Sequence, residues 1–313
     1  MLSIGLAVFN GERYLRDSVD SILAQTFTDF ELIISDNAST DQTGDICREY
    51  ASKDKRIRYS RNDVNIGGAN NENRTFLFSR GKYFRWAAYD DVCAPDLFRE
   101  CLAVLEHDLS VVLCHSVVIE IDENGKTLAT LDRNKAAAEQ PSERFRSLTK
   151  FDYNCEETYG FIRSDILRET KLQQNYTDSD RTLLSELGLH GKFHQVPKPL
   201  FFRRVHPAMS TKVYSNWRER MVWFDAENKD RILLPHWLQF FDYLRVIGRV
   251  GIGWGQRIAC YAHMVRWITS QGHGRWMAKD LLLAAMKLLR SIIRPKVWTR
   301  NNIAVPAAPS GTT

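Results

Sequence analysis

The sequence predicts an α/β protein: a doubly wound, mostly parallel sheet flanked by helices, with a helical extension toward its C-terminal end. Three observations lead there. Over the first 120 residues short apolar runs alternate with amphipathic stretches, the pattern of parallel strands joined by crossover helices. Acids and amides fall just past the ends of those runs, where such sheets bind their ligands. From about Tyr214 the alternation stops, and the chain turns aromatic-rich, helical and basic.

Ser3–Phe9 reads as the first strand, and Arg13–Gln25 places Tyr14, Val19, Ile22 and Leu23 near one helical face. Phe30–Ser35 is the second strand, followed by a helix over roughly Gln42–Lys53. Ile57–Ser60 is a weak third strand, Asn70–Ser79 a helix, and Tyr83–Ala87 a fourth strand running into Asp90 and Asp91. Pro95 suits a first helical turn, and Ser110–Ile119, strongly β-branched, is the fifth strand. Ile119–Leu131 reads as a hairpin around Glu123-Asn124-Gly125-Lys126, whose Asn-Gly suits a tight turn. Residues 132–150 are polar and read as a mobile connection. Asp178–Leu189 is a helix ended by Gly191, and Phe193–Val196 and Leu200–Val205 are two short strands. The chain thus divides into a sheet-bearing body (1–210), a basic amphipathic helical region (211–300) and a tail (301–313) expected to be disordered.

With 313 residues, 44% hydrophobic and 26% charged, the chain can bury a full core, and its composition is neither disordered nor fibrous. Its net charge of +5 is unevenly spread. Tyr243 to Arg300 holds eleven Lys/Arg against one acid, Asp280, which leaves the rest slightly acidic and asks for an anionic partner. Six cysteines without a CxxC pair, and a first segment that reads as a buried strand, point to a reducing, cytoplasmic setting. No window reaches the roughly 18 uncharged apolar residues of a bilayer span, so membrane contact, if made, is from the side.

Absences narrow the chemistry. Neither GxxxxGK[ST] nor GxSxG occurs, which argues against a P-loop and a serine hydrolase elbow. The run Gly251-Ile252-Gly253-Trp254-Gly255 lacks a sixth-position glycine and a preceding strand, and reads as a helix-helix turn. His190 and His194 lie four apart, but Gly191 breaks the helix and no HExxH surrounds them, so a zinc peptidase is not supported. What remains is acids at strand ends. Asp36 can accept from ribose hydroxyls or a base N–H, or simply cap the next helix as Asn37, Ser39 and Thr40 can. Asp90 and Asp91 repel unless a cation neutralises them, and hard oxygen ligands suit Mg²⁺ or Mn²⁺ bridging a diphosphate. The plain alternative is a solvated acidic pair.

In combination these stretches are recognisable. Ala7-Val8-Phe9-Asn10-Gly11-Glu12-Arg13-Tyr14-Leu15, Ser21-Ile22-Leu23-Ala24-Gln25-Thr26, Phe30-Glu31-Leu32-Ile33-Ile34-Ser35-Asp36-Asn37-Ala38-Ser39-Thr40-Asp41, Asn65-Ile66-Gly67 and Asp90-Asp91 resemble the family 2 glycosyltransferases of the GT-A fold. The resemblance is close from residue 2 to about 120 and looser to about 210. It implies a nucleotide-sugar-binding half (1–120) and an acceptor and catalytic half (121–210). It implies that Phe9, Asn10, Glu12, Asp36, Asn65 and Gly67 hold a nucleoside-diphosphate sugar, with a UDP-sugar foremost. Asp90 and Asp91 would then hold Mg²⁺ or Mn²⁺ on the diphosphate. Family members often carry three consecutive acids where this chain has Tyr89-Asp90-Asp91; two carboxylates remain for the metal, and Tyr89 either stacks on the ligand or packs.

Tyr176-Thr177-Asp178-Ser179-Asp180, followed by Gly191-Lys192-Phe193, resembles the family's second acidic motif at a helix start. Inverting transfer needs a carboxylate that removes the acceptor hydroxyl's proton as its oxygen attacks the anomeric carbon. The resemblance gives that role to Asp180, with Asp178 in reserve; the plain reading is that both cap the helix. Arg203-Arg204-Val205-His206-Pro207-Ala208-Met209-Ser210 is similar to an Arg-x-His-x-x-x-Ser segment of relatives, whose basic groups, here Arg204 and His206 foremost, meet the diphosphate or the metal. A structural histidine is the alternative. The implied enzyme moves a sugar to a hydroxyl of a surface polysaccharide or lipid-linked glycan. A sugar nucleotidyltransferase fits less well, because residues 7–15 lack a Gly-rich basic triphosphate loop. A catalytically silent sugar-nucleotide-binding scaffold is the reading from another class.

In Ala278–Arg294, Asp280, Lys287, Ser291 and Arg294 share one stripe, while Leu281, Leu282, Leu288, Leu289, Ile292 and Ile293 dominate the remainder. With Trp254, Trp267, Trp276 and Trp298 nearby, residues 243–300 suit an interfacial element drawn to anionic lipid at the inner face of the plasma membrane. A helix packed on the body or on a second subunit, as in a homodimer, reads equally well. Nucleic acid fits poorly, because no base-reading module accompanies the charge.

Overall fold

The computed structural model describes residues 1–293 apart from Tyr153, Ser215 and Asp230. The expected tail at 301–313, with Arg294, Lys296, Trp298 and Arg300, lies outside the described residues. The first half follows the predicted alternation: β1 (Leu2–Val8), α1 (Leu15–Leu23), β2 (Phe30–Asp36), α2 (Thr43–Lys53), β3 (Ile57–Arg61), α3 (Gly68–Leu77), β4 (Tyr83–Ala87), β5 (Val92–Cys93), α4 (Leu97–His107) and β6 (Val111–Ile121). The second half holds β7 (Thr127–Leu131), α5 (Pro141–Leu148), β8 (Phe161–Arg163), α6 (Ser164–Glu169), α7 (Ser179–His190) and β9 (Lys192–Arg204). It ends in α8 (Ser210–Val213), α9 (Trp217–Phe224), α10 (Pro235–Arg249), α11 (Trp254–Thr269) and α12 (His273–Ile293).

The sheet runs β3-β2-β1-β4-β8-β6-β9-β5, with β7 also on β6. Its first four strands are parallel, so their C-terminal ends, carrying residues 9–11, 36–39 and 88–91, open on one edge. β1 and β2 are buried almost along their whole length because helices cover both faces. β4 shows the split: Tyr83 and Ala87 enter the core under α1, α2 and α4, while Phe84 and Trp86 enter the core under α3 and α7. Beyond β4 the sheet turns mixed, since β8 is antiparallel to both neighbours while β9 is parallel to β6.

Two expectations change. The connection at 132–150 contains α5, started by Pro141 at its first turn, with Phe145 and Leu148 buried one turn apart. The polar residues Ser142, Glu143, Arg144, Arg146 and Ser147 around it hide that short apolar face. The two short strands near 193–205 are one 13-residue strand, β9, whose pairing with β6 shifts near Ser116–Val118, opposite Pro197 and Pro199. Prolines donate nothing to a ladder, so the strand bulges there and continues. A third core, built from Phe145, Leu189, Tyr243, Ile247, Cys260 and Trp267, seats α10 and α11 on α5 and α7.

Candidate active site

The loops after β1 and β2 are laced together. Asn10, in the left-handed region that asparagine tolerates, donates its N–H to Ser39 Oγ (3.0 Å) and accepts the Thr40 N–H on Oδ1 (2.8 Å). Gly11 donates to Thr43 Oγ1 at 2.8 Å, and a Cβ there would sit 2.6 Å from Val8 and 2.7 Å from the Tyr89 ring. Glu12 Oε2 accepts the Gln42 N–H. Asp36 is wholly buried: Oδ1 accepts the Ser39 N–H (2.8 Å), and Oδ2 accepts Tyr59 Oη (3.0 Å) and Arg61 Nη1 (2.8 Å). Burial alone would raise its pKa, but the bonds from Ser39, Arg61 and Tyr59 prevail and hold it below the usual carboxylate range.

Asn37 ties the next loop. Its Nδ2 donates to Asn65 Oδ1 (2.9 Å), and its Oδ1 accepts from Asn62 Nδ2 and the Ile66 N–H. Gly67 has φ +88°, and a Cβ there would lie 2.4 Å from the Phe224 carbonyl, so glycine lets α9 settle on the start of α3.

Asp90 and Asp91 lie between β4 and β5, held by the end of β9. Asp91 Oδ1 accepts the Arg204 N–H at 2.8 Å, and Arg204 Nε donates to the Asp90 carbonyl at 3.0 Å. Arg204 also reaches Asp17 Oδ2 (3.0 Å) and lies 4.7 Å over the Tyr14 ring. His206 Nε2 is 2.9 Å from Asp90 Oδ2, with its ring tilted against Tyr14. Burial first, and Asp90's charge second, push Asp91 up to about 8. A divalent cation would reverse that, and two carboxylate oxygens facing a cleft are the hard donors Mg²⁺ or Mn²⁺ take. Among the described residues no cage of three or more His, Cys, Asp or Glu exists, so a metal here needs ligand oxygens as well.

Opposite, α7 begins at Asp178, whose own φ is +66°. Neither acid caps the helix in the expected way: Asp178 makes no side-chain cap bond, and Asp180 Oδ1 accepts only the adjacent Arg181 N–H at 2.8 Å. Burial first, and Asp178's charge second, raise Asp180 to about 6. Glu72 on α3 stands beside it, raised to about 8 by burial and then by Asp180.

These groups line one cleft of about 1280 Å³, roomier than a pocket for a drug-sized ligand. Its lining includes the acids Glu72, Asp90, Asp91, Asp178 and Asp180, and also the cations Arg218, Arg220 and Lys229. The sequence pattern of glycosyl transferase family 2 matches residues 3–170. The chain belongs to that family. An uncharacterized glycosyltransferase of Methanocaldococcus jannaschii is 30% identical over 179 residues, 56% of this chain and 59% of that protein. Chondroitin synthase of Escherichia coli is 30% identical over 214 residues, 66% of this chain and 29% of that protein. The chain therefore spans about three fifths of the first relative and under a third of the second. The crystal structures of S. aureus TarS 1–349 with UDP and with UDP-GlcNAc align at TM-scores 0.60 and 0.61. They cover 87% of this chain and 72–73% of theirs at 14–15% identity, which shows the shared GT-A fold.

In this family 2 member the cleft gathers Phe9, Asn10, Asn65, Asp90, Asp91, Arg204, Asp178 and Asp180 of the sequence-predicted site. Asp36, Gly67 and His206 are buried behind the lining and Glu12 is exposed outside it, and they shape the loops through the bonds above. Sequence reasoning missed Asn37, Glu72 and Arg220 as site residues, while Arg203 lies in the basic segment it singled out. The polar run Asn70-Asn71-Glu72-Asn73 at a helix start against the sheet is the signal that could have found Glu72. Arg218, Arg220 and Lys229 lie past residue 210, so the basic region expected to stand apart contributes to the site.

Proposed function

We propose that the protein is an inverting glycosyltransferase that takes a sugar from a nucleoside-diphosphate donor, a UDP-sugar foremost, to a hydroxyl of a surface polysaccharide or lipid-linked glycan. The observation that carries this reading is a single cleft holding both acid pairs, Asp90 with Asp91 and Asp178 with Asp180. The nucleotide lies along Phe9, Asn10, Asn37 and Asn65, with its diphosphate at Asp90 and Asp91. Asp90 and Asp91 would hold Mg²⁺ or Mn²⁺, which when bound would neutralise charge on the leaving group. Arg203, Arg204, Arg218 and Arg220 add fixed positive charge around the same oxygens.

The sugar must then bridge from the diphosphate toward Asp180, and Tyr159 and Glu72 lie on that path: Tyr159 is raised by burial, then by Glu72, Asp91 and Asp90. Asp180 takes the acceptor hydroxyl's proton while that oxygen attacks the face opposite the departing diphosphate. Glu72, protonated at neutral pH, donates to a ring oxygen or hydroxyl of the sugar. The test is a panel of nucleotide sugars screened for thermal stabilisation with Mn²⁺ or with chelator. The reading expects one UDP-sugar to raise the midpoint in a metal-dependent way and then be consumed with acceptor. A silent scaffold would bind without turnover, and absence of any nucleotide-sugar binding would end the reading.

A further inference from the structure

The C-terminal helices carry a surface that the transfer chemistry does not use. α12 is amphipathic in the opposite sense from a helix facing water. His273, Met277, Asp280, Ala284 and Lys287, spaced four, three, four and three apart, form its buried or partly buried side. Asp280 is 3% exposed; Oδ2 accepts the His236 N–H (2.9 Å) and Oδ1 faces His236 Nδ1 (3.1 Å). The polar stripe is therefore the docking side, and Leu281, Leu282, Met286 and Leu289 face outward. The neighbouring α11 repeats the arrangement. Cys260, Met264 and Trp267 enter the core, while Trp254, Ile258, Tyr261 and Val265 make an outer stripe at spacing four, three and four. Trp254 is 77% exposed, Val265 70%, Ile258 64% and Leu282 60%.

Water is a poor solvent for such stripes, and their size marks an interaction surface. Charge decides what covers them. From Tyr243 to the end of α12 the sole acid is Asp280, which is buried and engaged. Arg266, Arg275 and Lys279 are exposed, and among the described residues no acid pairs with them. Apolar stripes on two helices whose own exposed ionised side chains are all cationic match a leaflet of acyl chains beneath anionic headgroups. No helix among the described residues is long and apolar enough to cross a membrane, so the contact is in the surface plane.

We propose that α11 and α12 seat the protein on an anionic phospholipid surface, with Trp254, Ile258, Val265, Leu282 and Leu289 at the headgroup–acyl boundary and Arg266, Arg275 and Lys279 on lipid phosphates. This assignment stands apart from the transfer reaction and does not depend on it.

The full chain is sedimented with vesicles of phosphatidylcholine, with or without roughly one-third phosphatidylglycerol, while light scattering follows its mass. Phosphatidylglycerol is expected to tighten binding at least about tenfold, and added salt to weaken it. The variant Ile258→Asn/Val265→Asn/Leu282→Asn should lose at least about tenfold on the same vesicles. Arg266→Gln/Lys279→Gln should lose on the order of tenfold and become insensitive to salt. Both should melt like the parent, because the altered side chains are exposed; if the apolar variant melts early, the charge variant decides. Equal binding to both vesicle types, no binding, or unchanged binding by the variants overturns the proposal. So does a dimer of the parent chain that the apolar substitutions convert to monomer, since the face would then join two copies.

Discussion

Asp36 and Asp180 are both acids placed by the end of one element and the start of another, and their pKa values are shifted in opposite directions. Asp36 spends both oxygens on Ser39, Tyr59 and Arg61 and is held ionised. Asp180 accepts one neighbouring N–H, shares its surroundings with Asp178 and Glu72, and is raised to about 6. The same contrast separates the two regions of the site. On the donor side the loops after β1 and β2 are closed networks in which each carboxylate has a structural partner. On the proposed transfer side Asp91 is buried, Glu72 and Asp180 are half-buried, and all three have few donors, the state expected of groups that wait for a metal, a sugar or a proton. The supply of hydrogen-bond donors is what differs most between the two sides.

The comparison breaks first at Asp180. Asp180→Asn keeps the shape and removes the base, so kcat should fall about a thousandfold with the melting midpoint unchanged. In the parent enzyme kcat/KM should rise with pH through about 6, since the base works deprotonated. Asp36→Asn should act the other way, costing about 2 kcal/mol in urea unfolding because Tyr59 and Arg61 lose a charged acceptor. Turnover at saturating donor should change far less than in the Asp180 variant.

Gly67→Ala comes next. The left-handed φ and the Phe224 carbonyl in the way predict a loss of about 1–2 kcal/mol and weaker donor binding, through displacement of α9 and its arginines. The smallest effect is at Glu72. Its folded pKa of about 8 lies above that of an unfolded glutamate, so the fold holds the extra proton. Its contribution to stability is full at low pH and is lost as pH rises through about 8. Glu72→Gln should flatten that decline in pH-dependent melting, and should weaken UDP-sugar binding while leaving UDP binding unchanged.

Much of this was legible in the sequence. The parallel half announces itself because strands such as Phe30–Asp36 carry short apolar runs, here Leu32–Ile34, and the acid pairs follow a strand end and mark a helix start in order. What escaped depended on partners distant in the chain. That Asp36 is walled off follows from Arg61 and Tyr59 on β3, 25 and 23 residues away. That α12 docks by its polar stripe follows from His236 meeting Asp280, 44 residues apart, which no periodicity reveals. α5 escaped because eight residues carry few apolar positions, and β9 was split because two prolines interrupt its ladder and not its course.

The central claim is that Asp91 serves donor binding and Asp180 serves the proton transfer. Titrating the stabilising UDP-sugar with Mn²⁺ into Asp91→Asn and Asp180→Asn, and assaying transfer in both, separates those roles. The account predicts that Asp180→Asn binds the donor as the parent does yet transfers about a thousandfold more slowly, while Asp91→Asn loses metal-dependent binding. Transfer at the parent's rate by Asp180→Asn, or unchanged metal-dependent binding by Asp91→Asn, would contradict it.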